Sequence, residues 1–150
     1  MSEPHLKNES RELLCDTVAL AWKEIERQGA HRPFCLATDR DGQRVHLATA
    51  DRDEDDSALL ETLLESVRSS CARRDYRAVA VSRHRVVVGA HGELQNAIQV
   101  TLEHAGDEPA ITCFVPYRLD QQNCLTPGAV FAAEAAQSFY PRRLPATTAC

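Results

Sequence analysis

Residues 97–104 read AIQVTLEH. In an extended chain Ile98, Val100 and Leu102 point one way, and Gln99, Thr101 and Glu103 point the other. A strand covered on both faces reads instead as a continuous apolar run. The alternation therefore predicts a sheet with one buried face and one polar face that is at least partly open.

The segments on either side extend this sheet. Upstream, YRAVAVSRH (76–84) reads as a strand with Val79 and Val81 on one face. RVVVGAHGELQ (85–95) then carries a turn or bulge, with Gly89 and Gly92 as breakers. Downstream, AGDEP (105–109) is a turn, and Ala110–Tyr117 is a further strand with Ile111, Cys113 and Val115 on one face. Earlier in the chain, two apolar runs within RPFCLATDRDGQRVHLATA (32–50) flank Asp39-Arg40-Asp41-Gly42. Asp-Gly supplies the positive φ of a tight hairpin turn.

Two helical stripes complete the pattern. Leu14, Val18, Trp22 and Ile25 recur at helical spacing within residues 9–28, with Asn8 or Ser10 as the cap and Gly29 as the stop. Leu60, Leu63, Leu64, Val67 and Cys71 form the second stripe, which ends near Arg73-Arg74, cations suited to the negative end of a helix dipole. The order is α-β-β-α-β-β-β. It predicts a single α+β domain over 1–150: a two-layer sandwich in which a five-stranded, mainly antiparallel sheet carries both helices on one face. Residues 1–7 and 142–150 are expected to be mobile. AVFAAEAAQ (129–137) has the composition for a short helix of about two turns, marginal without tertiary support, and the sequence does not fix whether it forms.

DRDEDDSA (51–58) precedes the second helix. As a calcium loop counted from Asp51 it fails twice: Asp56 stands where glycine is required, and Thr62 where a bidentate Glu is required. The stretch reads as a helix start, with Asp55, Asp56 or Ser57 capping the first turn. Its charge is also suited to a basic partner.

Composition narrows the function. A net charge of −5 over 150 residues argues against nucleic-acid binding and against anionic membranes. A basic cluster of Arg73, Arg74, Arg77, Arg83 and Arg85 has only Tyr76 beside it, too few aromatics for a base-stacking platform. No apolar run reaches membrane-spanning length, and MSEPHLKNES lacks a signal layout, so a cytoplasmic location is expected. Of the six cysteines no two form a CxxC pair. Cys15, Cys35, Cys71 and Cys113 fall in apolar periodic segments and are expected to be reduced and buried, whereas Cys124 is the thiol expected to be exposed. Whether Cys124 or the terminal Cys150 is reactive is not fixed by the sequence.

No catalytic or cofactor-binding motif is present: the chain lacks GxSxG, HExxH and a phosphate-cradling glycine loop. The candidate metal set is His46, Glu103 and His104, imidazoles and a carboxylate being zinc ligands. Glu103 and His104 point to opposite faces of an ideal strand, which works against it.

RAVAVSRHRVVV and NAIQVTLEHAGDEPAITCFVPYRL together resemble a group of small bacterial proteins without assigned activity. The resemblance rests on Asp75-Tyr76-Arg77-Ala78-Val79, DEDDSALLETLLESV, Leu102-Glu103-His104 and Pro116-Tyr117, and spans most of 30–120. These motifs are structural and imply no catalytic residues. The layout is also similar to roadblock and profilin-like domains, which act as binding and dimerisation modules. The expected function is a non-enzymatic interaction module that binds a second copy or another protein through a sheet edge or the open face. The alternative is a small-ligand or metal-dependent enzyme built around His46, Glu103 and His104.

Overall fold

The computed structural model describes residues 8–49, 55–106, 109–122, 124–135 and 139–140. The expected mobile ends 1–7 and 142–150, residues 51–54 of the acidic stretch, and Cys150 lie outside them. The elements are α1 (Asn8–Gln28), β1 (Phe34–Asp39), β2 (Arg44–Ala48), α2 (Asp56–Ala72), β3 (Tyr76–Val88), β4 (Leu94–His104), β5 (Ala110–Leu119), β6 (Leu125–Pro127) and β7 (Phe131–Ala135). The first seven follow the expected order. The sheet has seven strands rather than five, ordered β2-β1-β3-β4-β5-β6, with β7 also on β5. Every strand pair is antiparallel.

The helices do not share a face. Leu13, Ala21 and Ile25 of α1 pack on Phe34, Leu36, Ala78, Ala80, Ile98, Val100, Leu102, Ile111, Cys113 and Val115. Leu60, Leu63, Val67 and Cys71 of α2 pack on Cys35, Ala37, Val79 and Val81, the intervening residues of the same strands. The sheet is thus covered on both sides over β1 and the first half of β3. The evidence was in FCLAT (34–38) and AVAVS (78–82), which are buried without alternation, as doubly covered strands must be. The alternation in β4 describes only the part of the sheet that α2 does not reach.

Small side chains allow this stacking. Ala78 and Ala80 lie under α1, and the centre of α1 is itself small: its buried positions are Ser10, Leu13, Thr17, Ala21 and Ile25. Of the predicted stripe, Leu14, Val18 and Trp22 flank this line and are only partly buried. Bulky residues at the centre would hold helix and sheet apart. The Thr17 hydroxyl donates to the Leu13 carbonyl at 2.7 Å, so a polar group lies in the core without an unmet bond.

Local chemistry sets the ends of the elements. Asp55 is the α2 cap, its carboxylate accepting from Ala58 N at 2.8 Å. The β1–β2 and β3–β4 hairpins close alike. Gly42 (φ +85) and Gly92 (φ +81) take the left-handed position, while an acidic side chain holds loop amides: Asp39 at Asp41 and Gln43, and Glu93 at His91. A register shift at Thr38/Asp39 opposite Arg77 re-aims that side chain toward α1, where it meets Glu9 through two 2.8 Å bonds. The segment 129–137 is not a helix where it is described. Phe131–Ala135 pairs with Phe114–Ala110 as β7, because the open edge of β5 offers a ladder that outweighs the marginal stability of two helical turns.

Two predictions follow from the packing. Ala80→Leu adds three heavy atoms between β3 and α1 at a fully buried position, and should cost about 1–3 kcal/mol in chemical denaturation. The second concerns His31, which is buried at the exit of α1 and bonded to the Ser82 hydroxyl at 3.0 Å. Burial, with a smaller contribution from His84, pushes its pKa down to about 4. The unfolded chain takes up this proton near pH 6.5 and the folded chain does not, so stability present above pH 6.5 is lost as pH falls toward 4. His31→Gln should remove on the order of 1–3 kcal/mol of that decline, measured by urea unfolding at a series of pH values.

Candidate interaction surface

The β3–β4 hairpin is longer than the sheet around it. β1 pairs with β3 no further than Phe34↔Ser82, and β5 pairs with β4 no further than Tyr117↔Asn96. Beyond these limits Arg83–Val88 and Leu94–Gln95 form an arm. Among the described residues no strand lies along the β1 side of Arg83–Val88. The arm's α1-side face carries three exposed apolar side chains, Val86 at 54%, Val88 at 69% and Leu94 at 74%, beside the His84–Asn96 pair bonded at 2.9 Å. Val88 and Leu94 are directly opposite each other, so the apolar groups adjoin. The three exposed side chains thus form one contiguous apolar group on a projecting ribbon.

The α2 face of the sheet is open only in part. α2 packs on β1 and β3, and beyond them Gln99, Thr101, Thr112 and Phe114 are half-buried. Phe114 stacks on Phe131 with centroids 4.9 Å apart and ring planes 16° apart, so β7 is held by a side-chain contact as well as its ladder. Glu103 breaks the expected polar, solvent-facing row. It is fully buried, because Phe139 and Tyr140 return over it. Its carboxylate accepts from Phe139 N at 3.0 Å and Tyr140 N at 3.4 Å, and the Tyr140 hydroxyl donates to the Tyr76 carbonyl at 2.9 Å.

The three candidate ligands do not converge. His46 is on β2, edge-on to Phe34 with centroids 5.3 Å apart, beside a cleft of about 440 Å³ that Lys23, Arg27 and Arg32 also line. His104 is on β4, with β1 and β3 between it and β2, a backbone separation of roughly 14 Å at normal strand spacing. Its Nδ1 accepts from Gly106 N at 3.0 Å, so Nε2 carries the proton toward Glu9, 3.3 Å away. Glu103 faces the other side of the sheet. Among the described residues no three His, Cys, Asp or Glu side chains gather as a metal cluster.

The basic cluster is divided by its partners. Arg73 bonds Asp75 and the hydroxyls of Ser69 and Ser70, and Arg77 bonds Glu9. Burial pushes the Glu9 carboxyl upward, but the bonds and charges of Arg77 and His104 outweigh that and leave it below its ordinary value. Of the thiols expected to be buried, Cys35, Cys71 and Cys113 are, and burial pushes Cys35 up to about 12, which makes it unreactive. Cys15 is exposed instead; Cys124 is exposed as expected.

The sequence reading placed a turn or bulge in RVVVGAHGELQ and did not single out the exposed apolar residues beside it. The available signal was Val86-Val87-Val88, an apolar run that abuts a turn and has no equal run opposite. No family model, no curated protein and no solved structure matches the chain. No helix among the described residues is long and apolar enough to cross a membrane.

Glu103→Ala leaves two amides inside the α2-side core without their acceptor. It should destabilise the fold by about 2 kcal/mol and expose the chain around Phe139 to limited proteolysis, while Gln99→Ala on the same strand and face should do neither.

Proposed function

We propose that the chain is an interaction module that works by holding protein to protein through the unfinished end of its sheet. The observation that carries this reading is the arm: Val86, Val88 and Leu94 adjoin on one face of a ribbon that projects past both neighbouring strands. Unpaired strand edges and exposed apolar side chains are a liability for a chain that works alone, and proteins normally shield them with charge, bulges or cover. Here the β-branched residues stand at the open end. The layout resemblance to roadblock and profilin-like domains adds nothing to this reading, since the 129–137 segment that would have to supply their closing helix forms strand β7 at Phe131–Ala135. Of the two expected routes, a sheet edge or the less covered face, the edge is the one taken up here, since α2 occupies part of that face. A metal-dependent reaction at His46, Glu103 and His104 draws no support from the positions of those residues.

A photo-crosslinking amino acid placed at Leu94, in cells producing the full chain, should give discrete adducts with this chain or with one other protein. The same group at Glu65, exposed on α2, should give none. Absence of discrete adducts at Leu94, or identical adducts at both positions, would contradict the reading.

A further inference from the structure

We infer that the partner at this end is a second copy of the chain, joined by antiparallel pairing of the two β3 edges about a two-fold axis at Val86. The inference rests on the association reading above and names the surface and its occupant.

The direction of each backbone group along β3 follows from two bonds. Gly89 N donates to the Glu93 carbonyl at 2.7 Å, and Ala105 N donates to the Arg77 carbonyl at 2.8 Å. Antiparallel ladders alternate bonded and non-bonded pairs, so Val87, Arg85 and Arg83 turn their amides and carbonyls toward β4. His84, Val86 and Val88 turn theirs outward. Ser82, the next outward residue, already faces Phe34 of β1. The unpaired stretch therefore holds three outward residues, with Val86 at its centre.

That arrangement matches itself under a two-fold rotation. With Val86 opposite Val86 of the second copy, His84 lies opposite Val88 and Val88 opposite His84. Every outward amide and carbonyl of the three residues then finds a partner. A shift of the axis to Arg85 would set arginine against arginine and bring Val88 against Ser82, whose ladder is taken. With the axis at Val86, Arg85 faces Val87 and Arg83 faces Gly89, so like charges do not oppose. The apolar side chains of Val86 meet across the axis on the face where they are exposed. Edge pairing of this length lies at the small end of stable interfaces, so the dimer should dissociate on dilution.

Proline separates this surface from the fold. The Val86 amide makes no bond to β4, so Val86→Pro removes an outward donor and leaves the chain's own ladder intact. Val86→Lys, at an exposed position, sets two charges against each other across the axis and serves as the second variant should the proline perturb folding. Sedimentation velocity from a few µM to about 0.5 mM should show wild type passing from monomer to dimer. Both variants should remain monomeric with unchanged circular dichroism. A wild type that stays monomeric throughout overturns the inference and leaves the association reading to the crosslinks at Leu94. Dimers that persist in a folded Val86→Pro or Val86→Lys chain also overturn it, since the copies would then be joined elsewhere.

Discussion

The structure depends on one strand being covered from both sides. Ala78–Ser82 of β3 lies between α1 and α2, with every side chain in the run buried. Such a segment must put small groups where a helix comes close and branched ones where the gap is wider. Ala78 and Ala80 face α1, while Val79 and Val81 face α2. β1 beside it is also covered from both sides but with the sizes reversed: Phe34 and Leu36 face α1, and Cys35 and Ala37 face α2. Cover of this kind fixes register, because a slip of one residue would exchange the two side-chain sets between gaps of different width.

The same strand then leaves its cover. Past Ser82 β1 no longer accompanies it, and its side chains change from buried to exposed within a few residues. One end of β3 is tied to the fold by Glu9, Arg77 and His104, and the α2-side core is closed by Glu103 gripping the chain at Phe139 and Tyr140. The other end stands free with β-branched residues on it. Rigid anchoring at one end lets the free end present backbone groups in fixed directions. On the association proposed above, a partner strand would meet a preformed edge and order little chain on binding.

What the sequence made legible was local. Both hairpin turns, the Asp55 cap and the burial of Ile98, Val100 and Leu102 are set by residues a few positions apart. The placement of the helices was not, because periodicity reports which side of a strand is apolar and not which element covers it. FCLAT and AVAVS held that information as unbroken buried runs, and the alternation in residues 97–104 was extended to strands it did not describe. Glu103 was unreadable for a different reason: what buries it lies 36 residues further on and carries no pattern of its own. The alanine-rich 131–135 segment followed the open edge of β5 against its helical propensity. The candidate surface was visible as composition in Val86–Val88, but its meaning required knowing where the neighbouring strands stop.

Residue-resolved amide hydrogen exchange along β3, followed across protein concentration, tests this account most directly. Ala78–Ser82 should be protected at every concentration. Arg83, Arg85 and Val87 should be protected throughout, and His84, Val86 and Val88 should gain protection only as concentration rises. Rapid exchange at Ala78–Ser82, or equal protection of odd and even residues from 83 to 88 in dilute solution, would contradict a strand that is enclosed in its first half and unfinished in its second.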